Sequence, residues 1–234
     1  MIDNERLTEL YPGINTDGIL GTLYIEKDGQ TNPVDTTMAL ARGARQYGAK
    51  VLENVKVEEI LVENGQAIGV STDRGAIAAD QVILAGGLWS RDIAEKIGVD
   101  LPLYACEHYY VVTEEMEGLT RRPVLRDFDK GVYFKEDAGK MLVGWFEHNA
   151  RGCPMSRIAE DFCFDEFPCE LEQIEEYLMR GMETFPALEE TGIRTFFNGP
   201  ESFTTDNLHL LGPTPEVDNF FVACGLNSKG IGAG

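Results

Sequence analysis

The sequence predicts an α+β / α/β fold, built as one large domain or two closely joined ones. Three observations carry that prediction. Residues 80–90, DQVILAGGLWS, have the form of a buried strand, a glycine turn and a helix start, the repeating unit of an α/β sheet. Asp28-Gly29 and Asn64-Gly65 are hairpin turns that put antiparallel strands ahead of that unit. From His108 onward short strands dominate, so a second, mostly antiparallel sheet follows.

Each element has its own local reason. Residues 1–20 read as a lead-in with a short helix and a Pro12-Gly13 turn. LGTLYIE reads as a strand running into Asp28-Gly29. Asn32-Pro33 opens a helix, with Asn32 as N-cap, Pro33 at the first helical position and Gly48 as the stop. KVLENVKVEEILVENG reads as two strands, and QAIGVSTDRGAIAADQVILAGG as three more, so an antiparallel meander separates helix 33–48 from the strand at 81–85. Ser90 is placed as the cap of a helix over 90–97. Strands are expected at 108–113, 131–136 and 140–148, and Tyr109, Val111 and Thr113 mark one wall of a half-covered sheet. Residues 149–169 are irregular. Leu171, Ile174, Leu178 and Met182 give a helical stripe over 170–184, ended by Pro186. RTFFNGPESFT, LHLLG and FFVACG are three late strands, each expected to stop at glycine.

Composition narrows the function. Twenty basic residues face 40 acidic ones, a net charge of −20, which argues against nucleic acid or an anionic membrane as partner. No run approaches the roughly 20 apolar residues of a membrane-spanning helix, and IDNERLTEL after Met1 has no signal-peptide pattern. The five cysteines have no paired spacing, which suggests a reducing compartment. His148, Cys153, Cys163 and Cys169 can be drawn as a ligand set, but without a CxxC pair scattered structural thiols read better and no metal site is expected. The glycine turns at 85–90, 198–204 and 224–234 sit where an α/β protein meets a ligand, and each also reads as an ordinary turn. Backbone N–H groups at the helix start after FFVACG suit an anion or an electron-rich heteroatom.

A resemblance decides among these readings. DGQTNPVDTTMALARGARQYGAKVLENVKVEEI, DQVILAGGLWSRDIAEKIGVDLPL, EHYYVVTE, PVLRDFDKGVYFKE, NGPESFTTDNLHLLG and FFVACGLNSKGIGAG stand in one order along nearly the whole chain. On these segments the chain resembles the FAD-dependent amine oxidoreductases that include dimethylglycine dehydrogenase, sarcosine dehydrogenase, dimethylglycine oxidase and glycine oxidase. EHYYVVT, VLRDFDKGVYF and NGPESFT place it nearest the dimethylglycine/sarcosine dehydrogenase branch. The resemblance implies FAD as cofactor and a small amino-acid-like amine as substrate, oxidised by hydride transfer to the flavin. It implies part of a FAD-binding three-layer domain over 1–100 and 190–234, and a substrate-binding sheet domain over 101–189. Proteins of this kind begin with a strand–GxGxxG–helix unit that these 234 residues do not contain, so an internal fragment is expected. No motif names the electron acceptor. The rival reading is a catalytically silent flavin-fold subunit that regulates or binds a partner. The expected location is cytoplasmic, or the mitochondrial matrix for a eukaryotic source.

The resemblance also implies roles for single residues. His108 matches the active-site histidine and Tyr133 the active-site tyrosine; outside the family each would read as an ordinary strand residue. Val57 matches the position whose backbone meets the adenine. Ala85, Gly86, Gly87 and Trp89 match the loop beside the adenosine. Gly225, Asn227, Ser228, Lys229 and Gly230 match the loop at the pyrimidine end of the flavin, where Lys229 either offsets charge on the reduced ring or is simply solvated. Gly199 and Glu201 are placed in the pocket wall. Trp145 and Phe146 line the substrate side or, the better reading, belong to the core.

Overall fold

The computed structural model describes residues 1–162 and 167–233. The chain folds as two compact units, each assembled from three separate segments.

The first unit comprises 1–31, 108–150 and 163–199. It opens with α1 (Asn4–Leu10), capped by Asp3, whose carboxylate accepts the Arg6 N–H at 2.9 Å. Its sheet has the order β6-β7-β8-β5-β9, from β6 (Leu125–Asp127), β7 (Val132–Asp137), β8 (Lys140–Trp145) and the stretches 108–113 of β5 (Leu103–Thr113) and 193–199 of β9 (Ile193–Thr204). Tyr110 pairs with Gly144, and Gly144 pairs in turn with Tyr133. Because side chains alternate across a strand, this register puts Tyr109, Val111, Val132, Phe134, Met141, Val143 and Trp145 on one face. All seven are buried, packed with Leu7 and Tyr11 from the amino-terminal segment and with Ile174 and Tyr177 of α4 (Leu171–Thr184). Burial of seven such side chains contributes on the order of 10 kcal/mol before ordering costs are subtracted.

The second unit comprises 32–107, 151–162 and 200–234. In α2 (Pro33–Gln46), the Asn32 side chain accepts from Val34 N and Asp35 N, as the Asn-Pro pair predicts. β1 (Val57–Glu63), β2 (Gln66–Thr72) and β3 (Gly75–Ala78) form the antiparallel meander. A second sheet has the order β10-β11-β4, from β4 (Val82–Leu84), β10 (Leu210–Pro213) and β11 (Phe220–Cys224). In it β11 runs parallel to β4 and antiparallel to β10. Two short helices follow the parallel strands: α3 (Ser90–Glu95) after β4, and α5 (Gly230–Ala233) after β11. The core here is Val82, Ala94, Val99, Leu101, Leu103, Phe220, Val222 and Cys224 with Ile60 and Ala67.

Five local expectations are corrected. Residues 20–26 form no strand, so Asp28-Gly29 closes no hairpin; Thr22 bridges to Ile2, and Leu20, Leu23 and Ile25 remain exposed with no partner strand among the described residues. KVLENVKVEEILVENG holds one strand, because Asn54 turns the backbone to φ 56° ahead of it. Ser90 is the first helical residue and is buried, and no side chain caps α3. In α4 the buried stripe runs through Ile174, Tyr177 and Gly181, while Leu171 lies exposed. Gly199 lies inside β9 and does not end it. Among the described residues no group of His, Cys, Asp and Glu could hold a metal ion, and no helix is long and apolar enough to cross a membrane; Cys163 lies outside the described residues.

Candidate functional site

The register that buries one face of the first unit's sheet assembles a different set on the other. Arg126 pairs with Tyr133, Tyr133 with Gly144, and Gly144 with Tyr110, so Arg126, Tyr133 and Tyr110 share that face. His108 lies two residues before Tyr110 and Phe146 two after Gly144, which adds both to it. The side chains touch. His108 stacks on Phe146 at 5.2 Å, Phe146 meets Tyr133 at 5.6 Å, and Tyr110 stacks on Phe197 of β9 at 4.5 Å. The Arg126 guanidinium lies 5.0 Å from the Phe146 ring centre, 5.5 Å from Phe128 and 5.9 Å from Tyr133. A cation over three rings is held in place, and among the described residues no hydrogen bond takes up its N–H groups, which suits it to an anion.

Gly144 is what lets Tyr133 lie across the sheet. A Cβ at 144 would stand 2.1 Å from Tyr133 Cζ and 2.2 Å from its hydroxyl oxygen, so the ring occupies the space over the Gly144 backbone. Behind His108, Glu147 brings Oε2 to 3.4 Å from Nδ1, with both side chains almost wholly buried. The structure therefore brings His108 and Tyr133 together. It adds Arg126, Tyr110, Phe197 and Glu147, which reading by motif passed over. The signal for Arg126 and Tyr110 was the strand period, once Tyr133 and Gly144 are taken as directly opposite. Trp145 is core, as the sequence favours; Phe146 lies on the opposite face.

The loops expected to meet the cofactor lie in the second unit. Phe220, Phe221 and Val222 of β11 pair in parallel with Val82, Ile83 and Leu84 of β4. Two parallel neighbours share a carboxyl end, so the 85–89 and 225–229 loops leave the sheet side by side. In open α/β sheets this is where ligands bind. Ala85, Gly87 and Trp89 are exposed there and Gly86 is half-buried. Gly225 is buried at φ 65°, and a Cβ on it would stand 2.7 Å from Thr204 Cγ2. Asn227 turns inward: its side-chain oxygen accepts the Thr204 N–H at 2.8 Å, and its amide donates to the Gly225 carbonyl. That side chain braces the loop, leaving backbone to face outward. The Ser228 hydroxyl donates to the Glu201 carboxylate. Lys229 Nζ donates to Asn207 Oδ1 at 3.3 Å. A Cβ on Gly230 would touch only Leu226, and one on Gly199, in the first unit, would touch nothing. Val57 opens β1 in the meander, a separate sheet from the two loops. Burial raises the Cys224 thiol at the end of β11, with the Ser90 hydroxyl opposing, so it is a packing residue and not a nucleophile. Two glycine loops at one sheet end, with Gly87 open to solvent, fit a dinucleotide such as FAD.

Comparison with known proteins identifies the family. The model of the FAD dependent oxidoreductase (DAO) family matches residues 1–234. The chain is 40% identical over 231 residues to 4-methylaminobutanoate oxidase (formaldehyde-forming) of Paenarthrobacter nicotinovorans, covering 98% of this chain and 28% of that protein. It is 37% identical to human mitochondrial sarcosine dehydrogenase, covering 95% of this chain and 24% of that protein. It is also 30% identical to the mitochondrial pyruvate dehydrogenase phosphatase regulatory subunit of Mus musculus, covering 100% of this chain and 27% of that protein. The chain thus spans about a quarter of the length of these relatives. Among solved structures, L-proline dehydrogenase from P. horikoshii superposes with a TM-score of 0.83 at 25% identity, over 97% of this chain and 58% of that one. With its full length matched by the family model, its fold shared with a solved dehydrogenase and its two strand-end loops suited to a dinucleotide, the chain belongs to the FAD-dependent oxidoreductase (DAO) family.

Proposed function

We propose that this chain carries the substrate face and two cofactor loops of an enzyme that oxidises an N-methyl amino acid, of the dimethylglycine, sarcosine or 4-methylaminobutanoate kind. The observation that supports this best is the shared face of His108, Tyr133 and Arg126. FAD, when bound, accepts the hydride from the carbon next to nitrogen. The chain's residues prepare the substrate. Arg126 offers a cation to the carboxylate, Tyr133 a hydroxyl at the same face, and His108 accepts or orients the amine proton so that nitrogen keeps its lone pair. Phe146, Tyr110 and Phe197 exclude water around the methyl groups. Val57, Ala85, Gly86, Gly87, Trp89, Gly199, Glu201, Gly225, Asn227, Ser228, Lys229 and Gly230 are assigned to the FAD side, the loop residues acting chiefly through their backbone. In domain terms, 101–189 serves the substrate, joined there by Phe197, and 1–100 with the rest of 190–234 serves FAD. Two of the relatives are named mitochondrial, which favours the matrix for a eukaryotic source.

The test is anaerobic flavin bleaching by the full-length protein with dimethylglycine, sarcosine, 4-methylaminobutanoate and glycine. Reduction by one of the N-methyl compounds is expected, and His108→Asn should slow it at least tenfold. A flavin that stays oxidised with all four overturns the enzyme reading. It would favour the rival, a silent flavin-fold subunit, which the regulatory relative supports.

A further inference from the structure

A neutral imidazole presents a proton on one nitrogen and a lone pair on the other, and its neighbours decide which is which. Two neighbours of His108 bear on this, Phe146 and Glu147. Phe146 lies against the ring with the planes 29° apart, which sets the plane but not the direction in which the nitrogens point. Glu147 supplies the direction, with Oε2 3.4 Å from Nδ1. The side chains are 7% and 9% exposed, so the pair sits where a hydrogen bond to a charge is strong and a misplaced charge is costly. Glu147 Oε1 has no hydrogen-bond partner among the described residues, so the carboxylate relies on its other oxygen. A ring flipped by half a turn would set a C–H against that carboxylate.

We propose that Glu147 is the positioning residue of His108: its carboxylate holds the proton on Nδ1 and leaves the lone pair on Nε2. The arrangement is chemically apt for an amine that must lose a proton before it gives up hydride. An Nε2 lone pair can receive an N–H, and the carboxylate steadies the imidazolium that results. This functional sense rests on the reading of His108 given above; the tautomer itself does not.

The chain contains three histidines, His108, His148 and His209, so the ring nitrogens are separable by nuclear magnetic resonance of the 15N-histidine-labelled protein, with His148→Gln and His209→Gln for assignment. In the parent chain His108 should show a protonated Nδ1 and a bare Nε2. Glu147→Gln, which keeps an oxygen acceptor, should preserve that tautomer. Glu147→Leu should move the proton to Nε2, with the His209 signal unchanged as evidence of the fold. A parent His108 protonated on Nε2, or a Leu variant with an unaltered tautomer, overturns the proposal. If the Leu variant fails to fold, the parent spectrum decides alone. In full-length protein Glu147→Leu should lower kcat/KM at least tenfold with Glu147→Gln intermediate. If His108→Asn turns over normally while the tautomer follows Glu147, the function is refuted and the positioning stands.

Discussion

Replacing Gly144 with alanine tests the proposed substrate face through one methyl group. The new Cβ would stand 2.1 Å from Tyr133 Cζ, 2.2 Å from its hydroxyl oxygen and 2.7 Å from Cε1. Ordinary contact is about 3.6 Å, so the ring must retreat by about 1.5 Å. The obstacle is the tip of a side chain, not backbone, and Tyr133 can swing away. The cost therefore falls in the lower part of the overpacking range, about 1–2 kcal/mol, less a few tenths regained because alanine suits a strand better than glycine. For a chain of this size each kcal/mol lowers Tm by about 2–4 °C. The assay is a double-mutant cycle by urea unfolding. Gly144→Ala should be costly in the parent chain and close to neutral beside Tyr133→Ala, giving a coupling of about 1–2 kcal/mol. A coupling under about 0.5 kcal/mol would show that Tyr133 does not lie over Gly144, and the assembled face would fall with it. In the full-length protein, Gly144→Ala should slow flavin reduction much as Tyr133→Ala does.

Three further outcomes are expected. Burial raises the Tyr11 phenol well above its ordinary value of about 10, with Arg122 opposing. A folded-state pKa above the unfolded one gives stability that is complete below about pH 10 and lost as pH rises beyond it, so urea midpoints should fall steeply between pH 10 and 12, and less steeply in Tyr11→Phe. Arg157 Nη1 donates to Glu107 Oε1 at 2.6 Å, and Glu107 is 1% exposed; Arg157→Ala should cost about 1.5–3 kcal/mol and speed amide exchange at Cys153, whose N–H donates to Ala105 O. Gly225→Ala should cost about 1–3 kcal/mol because φ is 65° and Thr204 blocks the methyl, and should lower FAD occupancy of the full-length protein; unchanged occupancy would count against that loop.

Most of the secondary structure was legible because it rests on local chemistry. Asn32-Pro33 caps a helix in any context, and Asn64-Gly65 folds a hairpin at its own position. What misled was the surroundings. LGTLYIE has strand residues, yet among the described residues no strand pairs with it, and β propensity without a partner forms no ladder. KVLEN is apolar enough, but Asn54 breaks it. In the proposed site, His108 and Tyr133 rest on the resemblance, whereas Glu147 and Arg126 depend on register and on burial. A carboxylate in FEH reads as a solvated charge until Nδ1 of a residue 39 positions earlier is seen beside it.

The two faces of the sheet answer to one register. On β5, Tyr109 and Val111 enter the core, while His108 and Tyr110 join the opposite face. The β7–β8 hairpin pairs Asp137 with Lys140 through Ala138 at φ 52° and Gly139 at φ 79°. Positive φ at both central positions is the two-residue turn that matches strand twist, and it sets which residues face each other. A slip by one residue would send Tyr133 into the core and Phe134 out, with Gly144 no longer beneath the ring. Packing thus selects the register, and the register alone brings Arg126, Tyr133 and Tyr110 into one row. The site therefore needs no separate device to assemble it: the apolar alternation that stabilises the sheet also places its polar residues. Substitutions in the buried row, Val143 or Phe134 for instance, should disturb chemistry only in so far as they loosen that register, whereas Gly144 touches both rows at once.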